Sequence, residues 1–381
     1  MTQSIQIGIS AAVLSDQNRS NRLDGIGIYT KTLLEGLKKL SCEVIPVTYT
    51  PLFKKNKIKN PILPGGIAFT YPGYIEIIGS LFFPYREKMI ENKISLYHST
   101  DYSVPKLKKI PVVSTLHDAL LLKHRCFDSP IKKIDCWLMK KQAQYAQRVI
   151  AISRAVVPEL VEYWNIKPEK IDVVYNGIPE WWFKKASRIQ KKIVLKNFQI
   201  TANFLLFVSS LRARKNIKRI IQAYKNLPLE LRQVYPLVVV GQHVGGLNCD
   251  WIVNELKILE QKKQGKWLDY VTVEELQILY QSATVFIFPS LAEGFGYPIV
   301  EAFASETPVI TSNYGAMAEI AGDAAYLVDP YNVDHITDAI KTLLMNTNLS
   351  QQYVEKGKIR AHFFTAQKCI EQTLAVYRKL L

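Results

Sequence analysis

Short apolar runs alternate with amphipathic stretches along the whole chain. In the first half, Ile5 to Ala12, Glu43 to Thr48, Ser95 to His98, Val112 to Leu116 and Arg148 to Ile152 predict strands, while Tyr29 to Leu40 and Ile131 to Gln147 repeat at helical spacing. The second half repeats the scheme. Its predicted strands are Phe204 to Ser209, Pro236 to Val240, Trp267 to Val271, Thr284 to Pro289, Pro308 to Thr311 and Ala325 to Val328. Its predicted helices are Lys215 to Asn226, Asp250 to Lys263, Thr272 to Ser282, Pro298 to Ala304 and Val333 to Met345. Strands alternating with helices build βαβ units, hence parallel sheets with helices on both faces, an α/β fold class. The turn signal Asn176-Gly177-Ile178-Pro179 closes the first half. Domains are expected over residues 1–180 and 201–362, with residues 181–200, rich in Trp, Lys and Gln, as the linker.

At 381 residues the chain exceeds one ordinary core, in keeping with two domains. Its 48% hydrophobic and 22% charged residues are those of a folded globular protein. Cys42, Cys126, Cys136, Cys249 and Cys369 are scattered without CxxC spacing, which argues against a zinc site or a disulfide framework and suits a reducing compartment. The N-terminal residues lack the basic region and apolar core of a signal peptide and read as a first buried strand. Ile75 to Phe83, the most apolar later run, is too short to cross a bilayer. A cytoplasmic protein is expected, peripheral at most to the inner face of the plasma membrane.

The net charge of +16 bears on that last point. Lysines cluster at Lys54 to Lys59, Lys106 to Lys109, Lys132-Lys133, Lys140-Lys141 and Lys191-Lys192, with aromatics in Phe82 to Arg86 and Trp181 to Phe183. Mixed basic and aromatic surface suits an anionic membrane, each cation contributing about 1 kcal/mol near it. A lysine-rich composition spread over solvated faces explains the same charge. No recognised nucleic-acid module accompanies it, so no nucleic-acid partner is expected.

Residues 289 to 301 read Pro-Ser-Leu-Ala-Glu-Gly-Phe-Gly-Tyr-Pro-Ile-Val-Glu. Glu293 and Glu301 thus flank a glycine-bearing loop, after a predicted strand and at a helix that opens with proline. Gly294 and Gly296, on either side of Phe295, let the backbone approach a ligand. The helix N-terminus offers unpaired N–H groups to a phosphate. Glu301, expected in the first turn, can accept hydrogen bonds from sugar hydroxyls. Spacing alone also allows two ordinary acids near a helix start, where acids are favoured. Arg212, Arg214 and Lys215 lie between a strand and a helix, where cations suit a diphosphate. His117 ends the strand before Asp118, at the edge where open α/β sheets bind ligands. Gly25-Ile26-Gly27 precedes a predicted helix, and by itself is a weak signal for a ligand met by backbone N–H groups. No Asp-x-Asp pair stands at a strand end, so no metal site is expected.

Glu293 to Glu301 resembles the Glu-x7-Glu motif of the retaining glycosyltransferases of family 4, which have the GT-B fold. Leu206 to Asn216 resembles that family's first strand and basic loop of the nucleotide-binding half. Val238 to Gly241 is similar to its second strand, and Glu274 to Tyr280 to the helix before the glutamate loop. Gly25 to Tyr29, Leu116-His117-Asp118 and Val174 to Ile178 resemble its N-terminal segments in the same order. The chain departs from the pattern at Ser209 and Glu306, near which the family usually has glycine, and at Ile28, often arginine.

The resemblance implies two Rossmann-like domains facing across a cleft. The first would bind the acceptor and the second the nucleotide-sugar, with residues 363–381 as a helix crossing back to the first. It implies transfer of a hexose, with retention, to a carbohydrate or lipid-linked acceptor in surface polysaccharide or lipopolysaccharide synthesis. Likeness to bacterial mannosyltransferases favours GDP-mannose. In the implied site Glu293, His117 and Lys215 are catalytic. Glu301 holds the ribose, Glu293 sits beside the transferred sugar and favours its developing positive charge, and His117 contacts that sugar. Lys215, Arg212 and Arg214 take the diphosphate in place of a metal ion, and Gly25, Gly27, Gly294, Phe295 and Gly296 line the donor. No cofactor is implied, the nucleotide-sugar being a substrate. The rival readings are a nucleotide-sugar epimerase on the same fold and a non-catalytic sugar-nucleotide binder.

Overall fold

The computed structural model describes residues 5–14, 23–40, 42–51, 66–71, 88, 90–125, 130–243 and 249–381. The chain divides into two compact units, Met1–Gly177 with Ala366–Leu381, and Ile178–Thr365. The first begins β1 (Gln6–Ser10), α1 (Gly25–Lys39), β2 (Glu43–Pro51), β3 (Ile67–Tyr71), β4 (Leu96–Ser99) and β5 (Val112–Leu116). It continues α2 (Leu120–Arg125), α3 (Pro130–Ala143), β6 (Arg148–Ala151), α4 (Val157–Trp164) and β7 (Ile171–Val173). Its sheet runs β3-β2-β1-β4-β5-β6-β7, every pairing parallel.

The second unit holds α5 (Arg188–Asn197), β8 (Leu205–Val208), α6 (Ile217–Lys225), α7 (Leu229–Val234), β9 (Leu237–Val240), α8 (Cys249–Gln261), β10 (Gly265–Leu268) and α9 (Val273–Ser282). Then come β11 (Val285–Phe288), α10 (Tyr297–Ala304), β12 (Val309–Ser312), α11 (Gly315–Ala321), β13 (Tyr326–Val328), α12 (Val333–Met345) and α13 (Thr347–Ala361). Its sheet runs β10-β9-β8-β11-β12-β13, again all parallel. β4, β5, β9, β11 and β12 are buried at every position, as strands covered on both faces must be, and β9 and β11 accordingly read as unbroken apolar runs.

The last helix, α14 (Ala366–Arg378), belongs to the first unit. Its Cys369, Ile370, Val376 and Tyr377 join Tyr29, Leu33, Leu34 and Leu37 of α1 in one core. The two helices meet so closely that a Cβ on Gly36 would lie 1.9 Å from Ile370 Cδ1. Packing therefore favours glycine there, since a side chain would force Ile370 of α14 to give way.

Several expectations need correction. Residues 181–200 are no linker: a 3-10 turn, Glu180–Phe183, and α5 occupy them, and Ser187 and Gln190 form a capping box that starts α5. The helix carries no clear core-facing stripe, since none of the residues of α5 is fully buried. β10 lies two residues earlier than predicted. β3, β7, α2, α4, α7, α11 and α13 were not among the predicted elements; β7 is three residues long and α13 largely polar. Cys136 is disulfide-bonded, which the scattered cysteine spacing did not suggest, whereas Cys42 and Cys369 are free. Ile75 to Phe83, Lys54 to Lys59 and Phe82 to Arg86 fall outside the described residues, among which no helix is long and apolar enough to cross a membrane.

Candidate active site

Strand order reverses beside the first strand of each sheet: β1 lies between β2 and β4, and β8 between β9 and β11. Loops leaving the carboxyl ends of strands at such a switch point diverge and open a crevice. In the second unit the loops after β8 and β11 carry Arg212 to Lys215 and Pro289 to Glu293. In the first, the segments after β4 and β5 carry Thr100, Asp101 and His117.

Glu293 joins the two loops of the second unit. Lys215 Nζ contacts its Oε1, and Arg214 Nη1 reaches its Oε2 at 3.0 Å and Ala292 O at 2.9 Å. The loops are also tied by backbone, Leu291 N donating to Arg214 O at 2.8 Å. Arg214 and Lys215 stand in a 3-10 turn, Ala213–Lys215, so Lys215 precedes the helix it was expected to begin. Asn216, at φ 64°, reverses the chain into α6 and donates from Nδ2 to Pro289 O at 2.9 Å and Pro330 O at 2.7 Å. Burial alone would raise the Glu293 carboxyl. The Lys215 and Arg214 charges, with hydrogen bonds from Lys215 and Ser290, outweigh it and hold the group below the usual carboxylate range. Burial draws the Lys215 ammonium below the lysine range, and Glu293 opposes that drift. Arg212 is exposed to solvent, outside this triad.

Glu301 has a different environment. It is 7% exposed and lies past the first turn of α10, not within it as expected. Its Oε2 accepts from Tyr280 Oη on α9 at 3.2 Å. Burial pushes its carboxyl up to about 7, with the Tyr280 hydrogen bond pulling the other way. Gly296, at φ 106°, adopts the left-handed turn that starts α10, a conformation that favours glycine. Gly294 and Phe295 are buried. Phe295 packs its ring edge-on against Phe364 and Tyr297, at 5.6 and 5.3 Å between centroids, so its side chain belongs to the core.

In the first unit, His117 Nε2 lies 3.0 Å from Thr100 O. A carbonyl can only accept, so Nε2 carries the proton and Nδ1 is left as an acceptor. Burial lowers the His117 pKa, against the Thr100 hydrogen bond and the Asp118 and Asp24 charges, and keeps the ring neutral. Tyr29 lies edge-on to that ring at 5.2 Å. Asp118 turns elsewhere: its Oδ1 accepts from Leu120 N at 3.0 Å and Tyr102 Oη at 3.2 Å. Gly25 and Gly27 do not precede the helix but begin it, behind the N-cap Asp24. Gly27 N already donates to Asp24 Oδ1 at 3.0 Å, and a Cβ on Gly27 would meet Leu23 at 3.0 Å. Gly27 thus serves helix capping and packing instead of presenting its amide to a ligand.

Residues 190–360 match the family described as Glycosyl transferases group 1, and residues 23–180 match Glycosyltransferase Family 4. The chain belongs to these glycosyltransferases. It is 28% identical over 293 residues to O-antigen chain mannosyltransferase B of Escherichia coli, across 75% of this chain and 74% of that protein. It is 28% identical over 261 residues to Serotype-specific mannosyltransferase WbdA of Escherichia coli, across 65% of this chain but 31% of that longer protein. Among solved structures, Alr3699/HepE of Anabaena, in complex with UDP and glucose, has a TM-score of 0.75 at 18% identity over 99% of this chain and 100% of that one, so the GT-B fold is shared.

The glycosyltransferase holds these groups with residues the sequence did not single out. Ser290 Oγ lies 2.8 Å from Glu293 Oε1 and 3.0 Å from Arg214 O. Ser312 Oγ in turn donates to Ser290 O at 2.6 Å. Asp101, two residues past β4, accepts from Ser103 N at 2.8 Å and Ser10 Oγ at 3.2 Å, and burial raises its carboxyl. Its place at a strand's carboxyl end was the one available signal. His98 is fully buried, with Nδ1 2.5 Å from Tyr377 Oη and Nε2 2.8 Å from Thr115 Oγ1. Thr115 Oγ1 is 2.8 Å from Tyr29 Oη, so a polar chain runs from α14 to the ring that flanks His117. Glu306 stands at φ 60°, which accounts for glycine being usual there, and pairs with Lys185 at 2.5 Å and Lys358 at 3.7 Å.

Proposed function

We propose that this glycosyltransferase moves mannose from GDP-mannose, with retention, to a carbohydrate or lipid-linked acceptor in the assembly of a surface polysaccharide. The observation that carries the site assignment is the Glu293–Lys215–Arg214 cluster where the β8 and β11 loops meet. Arg214 is the outermost of the three, its side chain 33% exposed against 10% for Lys215, and with Arg212 it meets the diphosphate first. These cations neutralise the leaving diphosphate, the work a metal ion does elsewhere. Glu293, kept ionised by the same cations, faces the positive charge that develops at the anomeric carbon. Glu301 accepts from the ribose hydroxyls, and His117 offers Nδ1 to a sugar hydroxyl. The mannosyltransferase names of the two Escherichia coli relatives support the choice of sugar.

The test is to incubate the protein with GDP-mannose, UDP-glucose or UDP-galactose, with and without an oligomannose or lipid-linked oligosaccharide acceptor, following released nucleotide and the anomeric proton of the product by NMR. Acceptor-dependent release from GDP-mannose, undiminished by EDTA and giving an α-linkage, is expected. Turnover of UDP-sugars alone overturns the donor assignment. Conversion of donor without acceptor makes the protein an epimerase, and a β-linked product overturns retention.

A further inference from the structure

One helix of the first unit is built against the usual economy of a soluble surface. α3, of 14 residues, leaves Ile134 59% and Trp137 58% exposed. Residues three and four apart share a helix face, so Lys133, Ile134, Trp137, Lys140 and Lys141 line one side. Lys133 and Lys141 are exposed and Lys140 is partly so. The helix's one acid, Asp135, points to the opposite side and is partly buried. Lys141 Nζ stands 5.6 Å from the centre of the Trp137 ring, so the cation and the aromatic act as one unit. Beyond the helix, Lys106 Nζ sits 5.5 Å from the Tyr145 ring and repeats that pairing.

We propose that this face of α3 docks the protein on an anionic lipid bilayer. An apolar partner groove would cover Ile134 and Trp137 but leave three lysines to be desolvated. A bilayer surface accommodates both, because tryptophan favours the boundary between headgroups and acyl chains while lysine stems lie along apolar surface with the ammonium in the headgroup layer. The absence of a carboxylate on the face selects anionic over neutral lipid. Docking stands apart from the sugar chemistry above, and neither requires the other.

The test is co-sedimentation of the full chain with sucrose-loaded vesicles, of phosphatidylcholine and phosphatidylglycerol at three to one, or of phosphatidylcholine alone. Binding to the anionic vesicles and not the neutral ones is expected. Lys133→Gln, Lys140→Gln and Lys141→Gln together should weaken it on the order of 100-fold, about fivefold per lysine. Ile134→Ser with Trp137→Ala should weaken it about tenfold or more. The matched triple Lys192→Gln, Lys196→Gln and Lys262→Gln removes the same charge from exposed positions of the second unit and should retain binding within a few-fold. Equal binding to neutral vesicles, no binding to anionic ones, an equal loss in the matched triple, or full binding by the Ile134→Ser, Trp137→Ala variant each overturns the proposal. These side chains are exposed, or partly so at Lys140, so melting temperatures should stay unchanged and a loss of fold is recognisable as such.

Discussion

The carboxyl edges of the two sheets share a topology and differ in how they treat charge. In the second unit, charges are kept and matched: Glu293 stays ionised because two cations touch it. In the first, burial removes charge: His98 is pushed down to about 3 and His117 is lowered, so both rings stay neutral and act through fixed hydrogen bonds. A parallel sheet supplies the crevice in either case, but the electrostatics come from which side chains the loops bring in. One edge suits an anionic leaving group, and the other suits neutral hydroxyls.

Removing the central carboxylate should break this contrast most severely. Glu293→Gln is expected to lower kcat/KM on the order of 100- to 1,000-fold, read as mannose transferred from GDP-mannose. Lys215→Ala should fall in the same range and also destabilise the protein by about 3 kcal/mol, since it strands a buried carboxylate. A change of less than about threefold in both would remove the cluster from the chemistry.

The second effect is on pH. Glu301 rises from 4.5 to about 7 on folding, so between those values the folded chain binds the proton that the unfolded chain has lost. Its contribution is complete below about pH 4.5 and is lost as pH rises through about 7, a decline of about 3 kcal/mol. Urea unfolding at pH 5 and pH 8 should show that part of the slope vanish in Glu301→Gln. An unaltered slope would contradict the raised carboxyl.

Smaller effects should sharpen the description of the first unit. Tyr377→Phe leaves the buried His98 Nδ1 without its partner and should reduce stability by about 1–3 kcal/mol. Because the ring is neutral, that loss should not vary between pH 6 and 8, and a pH-dependent loss would mean that His98 is charged. The smallest change calibrates the rest. Thr272→Ala removes the capping box that starts α9, far from the charge arrangements, and should cost about 1 kcal/mol with kcat unchanged.

The elements that were legible are those with a strong local signature. Buried strands such as β9 and β11 announced themselves as apolar runs, and α9 by its helical spacing from Thr272 to Ser282. α5 and α13 were missed because neither buries a broad apolar stripe. The glutamate motif was readable as a spacing, yet its residues were not all of one kind: Phe295 proved to be core, and Gly27 to be part of a capped helix. Ser290 and Tyr280 went unnoticed because a serine and a tyrosine at those places carry no signal without their partners.

Sequence alone therefore determined the alternation of strands and helices, the position of each loop at a strand end, and membership among the glycosyltransferases. Those properties depend on neighbouring residues, through periodicity, turn preference and motif. The tertiary structure decided which acid is charged. Glu293 meets Lys215 from 78 positions away, and Glu301 meets a phenol instead. His98 is held by a tyrosine 279 positions distant. Protonation depends on burial and on charges within a few ångströms, and folding alone sets those distances.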